Sequence, residues 1–235
     1  MKYTQRKILD SIPLIVALVL LYFTSLYSYL LFHTLAEIFS IVIAFTVFIL
    51  AWNSRKYIQN SYILFVGLAY LFIAFLDLLH TLGYTGMTIF PEYPYLGNQI
   101  WVGARYMESL TLLFGFLFFI EREDFKPGTV LIIYTFSTLL FLLSIFYWRI
   151  FPACYIEGIG QTRFKIISEY IIISILLVSL ILLYRNRKRF SNKVFLLIIV
   201  SIACTIISEL SFTLYISNYD FVNMLGHYFK IVSFY

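Results

Sequence analysis

Charge is what this chain has least of. Of its 235 residues only 12% are Asp, Glu, Lys or Arg, against about 25% in an average soluble domain. Hydrophobic residues make up 62%, against roughly 45–50%. That balance excludes a soluble globular enzyme, a disordered chain and a nucleic-acid-binding module. The net charge of +5 does not imply a nucleic-acid partner, because the basic residues are scattered between long apolar runs. Cysteine is scarce too. Cys154 and Cys204 offer no disulfide framework and no CxxC or Cys/His metal spacing, so two free thiols are expected. Pro13, Pro91, Pro94, Pro127 and Pro152 avoid the middles of the apolar runs and are expected where helices start or stop. HExxH, GxSxG and paired intramembrane Asp motifs are missing, so no catalytic residue is assigned and no enzyme is expected.

What is there is apolar length. A helix crosses a hydrocarbon core of about 30 Å with about 20 residues. Eight runs approach that length: 12–31, 33–53, 61–83, 99–120, 129–148, 166–184, 194–216 and 221–235. The first is too long for a signal-peptide core and lacks a small-residue cleavage pattern. The fold class expected is therefore all-α, a polytopic transmembrane helical bundle of about eight spans. Trp52, Trp101 and Trp148 fall at span ends, where interface aromatics sit. With the N-terminus inside, the inner segments hold twelve basic residues, among them Lys2, Arg6, Lys7, Arg55, Lys56 and the run from Arg185 to Lys193. The outer loops hold three, Arg149, Arg163 and Lys165. This asymmetry predicts a cytoplasmic N-terminus, and eight spans return the C-terminus to the cytoplasm. Residues 221–235 reach only about 22 Å at 1.5 Å per residue. The expectation is one integral-membrane domain over 1–235, truncated before a cytoplasmic segment, in the cytoplasmic membrane with lipid as its surroundings.

Ionisable residues inside a membrane are costly and are functional hypotheses by default. Here they fall at one depth, the outward-facing half. His33 and Glu37 open the second span, Asp77 and His80 close the third, and Arg105 and Glu108 lie in the outer half of the fourth. Glu169, Glu209, His227 and Lys230 belong to the last three spans. Offsets of three or four place His33 with Glu37, Asp77 with His80, and Arg105 with Glu108 on shared helix faces. The candidate metal ligands are His33, His80 and His227. The candidate ligand-binding residues are Glu37, Asp77, Arg105, Glu108, Glu169, Glu209 and Lys230. Three imidazoles with carboxylates beside them suit a transition metal, two axial histidines suit haem, and a buried carboxylate–histidine cluster suits a proton sensor. Blander roles stand beside these. His33 can sit at headgroup level, His80 and Asp77 can form a structural pair, and Arg105 can pair with Glu108 or Glu209 to fix helix register. Glu169 can be solvated, Lys230 can snorkel, and His227 can make a core hydrogen bond. The loops 83–98 and 151–162 are the candidate lids.

Several segments resemble a known family. They are His33-Thr-Leu-Ala-Glu37-Ile-Phe-Ser-Ile, Ala51-Trp52-Asn53-Ser54-Arg55, Leu76-Asp77-Leu-Leu-His80-Thr81-Leu-Gly-Tyr84-Thr-Gly86-Met87, Trp101-Val-Gly-Ala-Arg105-Tyr-Met-Glu108-Ser109 and Gly226-His227-Tyr-Phe-Lys230-Ile-Val-Ser-Phe-Tyr235. Together they are similar to the third type of bacterial and archaeal membrane-associated sensor domain, from about residue 10 to the end; the fifth and sixth spans match only in general character. The resemblance implies an N-terminal input module of a histidine kinase, diguanylate cyclase or related signalling protein. It also implies an output domain after the last span and a homodimer. This chain departs from the pattern in carrying no output domain. A proton- or solute-coupled transporter is the alternative, since transporters also place carboxylates and histidines in the membrane. A metal-dependent intramembrane oxidoreductase is the third. Apolar inner halves and the absence of mid-span helix breaks argue against passage across the bilayer.

Overall fold

The computed structural model describes residues 2–122, 125–215 and 219–235, with side chains from residue 12 onward. Lys2, Arg6 and Lys7, counted in the charge balance, therefore have side chains outside the described residues. The chain forms α1 (Lys2–Tyr27), α2 (Tyr29–Ser54), α3 (Ser61–Leu82) and α4 (Leu96–Phe114), the last continuing as a π-helical turn over Gly115–Phe119. Next come α5 (Pro127–Phe146), a two-stranded hairpin of β1 (Tyr155–Ile156) and β2 (Gly160–Gln161), α6 (Arg163–Arg185), α7 (Asn192–Leu214) and α8 (Phe221–Phe234). Six of these helices, α2 to α7, are long and apolar enough to cross a membrane. The apolar part of α1, Ile12–Tyr27, and the 14-residue α8 are shorter.

Local chemistry sets the helix starts. Ser28, Asn60, Thr162, Ser191 and Asp220 each accept a hydrogen bond through the side chain from the backbone N–H three residues on. Each satisfies one of the donors that a helix N-terminus leaves open. Ser28 thus divides α1 from α2 a few residues earlier than the apolar run indicates. Pro13 was expected at a helix start and instead lies inside α1. Nothing in Lys2–Ser11 breaks a helix, so the helix extends back past it. Pro127 does occupy the first turn of α5. Trp101 departs from expectation as well. α4 begins at Leu96, so Trp101 lies in its second turn with the ring buried rather than at the membrane interface.

The helices close into a ring. Going round it, α2 packs on α3, α3 on α4, α4 on α6, α6 on α7, α7 on α8, and α8 returns to α2. α1 lies outside against α2, and α5 outside against α3. Small residues bring α2 and α3 close: Ala44 and Ala51 face Gly67, Ala69 and Ala74, as in tightly packed membrane helices. A Cβ at Gly67 would lie 2.4 Å from the Ala51 Cβ. α8 approaches α7 where Gly226 meets the Phe212 ring, 2.6 Å from where a Cβ would stand. The end of the ring that holds the N-terminus of α3 packs as apolar clusters, with Tyr62, Phe116, Leu176, Leu183 and Phe190 in one and Leu64, Phe65, Leu68 and Val130 in another. The opposite end encloses the polar residues.

Candidate functional site

Two helices of the ring meet the last one through charge. Glu37 on α2 presents both carboxylate oxygens to α8: Oε1 lies 3.0 Å from His227 Nδ1, and Oε2 accepts from Lys230 Nζ at 2.5 Å. Lys230 Nζ also lies 3.1 Å from Asp77 Oδ2 on α3. Asp77 in turn accepts through Oδ1 from Arg105 of α4 at 2.6 Å, and Arg105 also donates to Glu108. The chain Glu37–Lys230–Asp77–Arg105–Glu108 therefore stitches α2, α8, α3 and α4 together, and all five side chains are buried. Trp101 lies between the two cations, its ring centroid 4.7 Å from both Arg105 Cζ and Lys230 Nζ. An aromatic face is one of the few apolar surfaces that attracts a cation, which gives this buried indole its place. The partner of Arg105 on a neighbouring helix is Asp77, not Glu209.

The three histidines gather at one spot. His33 is four residues before Glu37, so both project from one face of α2. The His33 ring centroid lies 4.7 Å from that of His227 and 5.3 Å from that of His80, and Tyr84 stacks on it at 3.5 Å. Burial raises the pKa of the Tyr84 hydroxyl, in the loop after α3, well above the ordinary tyrosine value. The hydrogen-bond partners assign the tautomers of the neutral rings. His80 Nδ1 is 2.8 Å from the Gly97 carbonyl oxygen, which only accepts, so Nδ1 carries the hydrogen and Nε2 a lone pair. His227 Nδ1 likewise donates to Glu37, leaving its Nε2 as a lone pair. His33 Nε2 lies 3.3 Å from His80 Nε2 and must be the donor there; His33 Nδ1 then holds a lone pair and has no hydrogen-bond partner among the described residues. His33, Glu37 and His80 each offer a ligand atom, and these atoms lie within 4.8 Å of one another. His227 is not one of that trio, and its Nδ1 bonds Glu37.

A second cluster joins α6 and α7. Lys165 is paired with Glu169 one turn on, donates to Gln161 Oε1 at 2.9 Å and to the Phe212 carbonyl at 3.0 Å, and lies 4.7 Å from the Tyr215 ring centroid. Sequence reasoning placed Lys165 in an outer loop and allowed Glu169 to be solvated. Both are buried, because α6 starts at Arg163 and its first turns face the ring interior. The four-residue spacing of Lys165 and Glu169 was the available signal. Glu209 of α7 is fully buried, and neither of its oxygens has a hydrogen-bond partner among the described residues. Gln161 of the hairpin also donates to the Tyr215 carbonyl at 2.6 Å, tying the outer loop to the end of α7. Tyr84, Trp101 and Lys165 are the site residues that the sequence did not single out.

Taken together, the layer holds five carboxyl groups (Glu37, Asp77, Glu108, Glu169, Glu209) and three basic side chains (Arg105, Lys165, Lys230), all buried. A void of ≈ 20 Å³ opens between the two clusters, lined by His80, His227, Trp101 and Lys165 among others. It has room for about one water molecule.

Residues 24–235 match the family model of the MASE3 membrane-associated sensor domain. The chain belongs to this family. As a sensor domain of this kind it is a membrane-embedded input module, and its apolar helices make it a multi-pass membrane protein. No curated protein and no solved structure matches it. Every polar residue of the layer described above, from His33 to Lys230, falls inside the matched stretch.

Proposed function

We propose that this MASE3 domain binds a small ligand in the polar layer and reports it through α8 to a cytoplasmic output domain of histidine kinase or diguanylate cyclase type. In this reading the domain has eight spans, both termini are cytoplasmic, the layer faces outward, and the signalling protein works as a homodimer in the cytoplasmic membrane. One observation carries the proposal: Glu37 is held by two residues of α8, His227 and Lys230. Any ligand that engages Glu37 competes with those contacts and biases where α8 rests. A ligand shifts a conformational equilibrium only by its different affinity for the two states, and here the difference lies in the α8 contacts. The apolar packing at the opposite end of the ring supports an input role over solute passage.

The test is signalling output in cells, compared for wild type, His227→Ala and Glu37→Gln, with membrane insertion checked for each. Both variants are expected to lock output at a level that no longer responds to the stimulus. A normal response from both, in inserted protein, would refute the α8 route.

A further inference from the structure

The ligand's chemistry can be read from three features of the layer. The first is the convergence of donors: His33, Glu37 and His80, all buried, each place a ligand atom within 4.8 Å of the others. The second is the tautomer pattern. His80 has its Nδ1–H pinned by the Gly97 carbonyl with Nε2 left as a lone pair, the way proteins orient a metal-binding histidine, while His227 uses its Nδ1–H to hold Glu37. The third is spacing. Two nitrogens bound to one ion at 2.0–2.1 Å in a tetrahedron lie about 3.3–3.4 Å apart. His33 Nε2 and His80 Nε2 are already 3.3 Å apart.

We infer that His33, His80 and Glu37 form a binding site for a divalent late-transition-metal cation, with His227 positioning Glu37. The donor set of two imidazoles and one carboxylate suits a borderline ion such as Zn2+ rather than Mg2+ or Ca2+, which take oxygen ligands. Two rearrangements are needed. Glu37 turns the oxygen held by Lys230 toward the two rings, closing ligand atoms that now spread over as much as 4.8 Å. The His33 hydrogen moves from Nε2 to Nδ1, so that both Nε2 lone pairs face the ion; no proton leaves the site. Of the three ligands, His80 also lines the void, which accommodates a water.

The inference deepens the input-domain reading and its consequence for α8 rests on that reading. An ion on Glu37 competes with Lys230, which retains Asp77 as a partner. Binding the cation therefore weakens one of the two charged ties of α8 while keeping the other.

The experiment uses the full-length protein in nanodiscs. Zn2+ content after dialysis is measured by elemental analysis, and Co2+ serves as an optical probe of coordination. Wild type is expected to hold one Zn2+ per chain and to give the intense visible bands of tetrahedral Co2+. His33→Ala and His80→Ala are expected to lose both. His227→Ala is expected to bind about 10–100-fold more weakly, as other residues that orient metal ligands do. Lys230→Met is expected to bind more tightly, because it removes the competitor for Glu37, an effect that a structural role for Lys230 does not produce. A folded wild type without stoichiometric metal overturns the inference. So does binding that survives loss of both histidines. Signalling output measured on the same variants separates the two readings. No metal with output still broken by His227→Ala sinks the cation site alone; stoichiometric metal with output indifferent to every variant supports the site and sinks the α8 route.

Discussion

Gly67 is the most exacting position in the ring. Gly67→Ala places a methyl carbon 2.4 Å from the Ala51 Cβ, where carbon atoms in contact normally stand about 3.5–4.0 Å apart. The two helices must separate by about 1 Å, and a gap of 0.5–1 Å already forfeits a quarter to a half of each dispersion contact along the interface. Overpacking of this kind costs about 1–3 kcal/mol. The reciprocal exchange, Gly67→Ala with Ala51→Gly, is the informative control. The new Cβ then lies 3.9 Å from the Ala51 Cα, an ordinary contact, and one Gly→Ala offsets one Ala→Gly in helix propensity. The double variant is therefore expected within about 1 kcal/mol of wild type, with Ala51→Gly alone costing about 1 kcal/mol. Equilibrium unfolding in mixed micelles, followed by tryptophan fluorescence with the buried Trp101 as a reporter, measures all four proteins. The reasoning fails if Gly67→Ala is as stable as wild type, or if the exchange is no better than Gly67→Ala alone. Because α2 and α3 carry His33 and His80, the same separation is expected to lengthen the 3.3 Å contact between them.

Lys230→Met leaves Glu37 with His227 and Asp77 with Arg105, and breaking a buried pair costs about 3–5 kcal/mol; the same unfolding measurement should show that adding Glu37→Gln recovers part of the loss. Burial pushes the Cys154 thiol up to about 12, against an opposing pull from Lys165. Its maleimide labelling is expected to be slow at neutral pH and to rise about tenfold per pH unit as thiolate forms. Rapid labelling at neutral pH would show the loop to be open. Gln161→Ala removes the bonds to Lys165 and to the Tyr215 carbonyl, and a hydrogen bond to a charged group is worth about 1.5–3 kcal/mol. Faster hydrogen exchange at the amides of Tyr155–Gln161 is the expected sign.

The helices were legible because apolar runs of membrane length leave few alternatives, and helical offsets were enough to pair Arg105 with Glu108 and to put His33 with Glu37. The wider partnerships were not legible. Nothing local in the chain shows that α8 returns to α2, and only that closure brings His227 and Lys230 to Glu37. Lys165 was misjudged because a lysine beside a span end ordinarily reads as a loop charge, and here the helix begins two residues earlier and turns the ammonium inward. Trp101 was misjudged for a related reason: a tryptophan near a span end has two good homes, the headgroup region and a buried cation, and sequence does not rank them. Pro13 shows the limit of reading a helix breaker without its neighbours, since the chain before it has no reason to stop being helical.

The closed ring has a consequence for how the domain is made. Glu37 and its ammonium partner Lys230 are 193 residues apart. During synthesis α2 and α3 enter the membrane carrying Glu37 and Asp77 long before their shared cation exists. Arg105 reaches Asp77 first, with α4, and Glu37 waits for the final helix. Closure of the ring therefore waits for α8, and until α8 is in place Glu37 lacks its ammonium partner. The residue that ties α8 into the ring is also the one whose partner reaches the membrane latest.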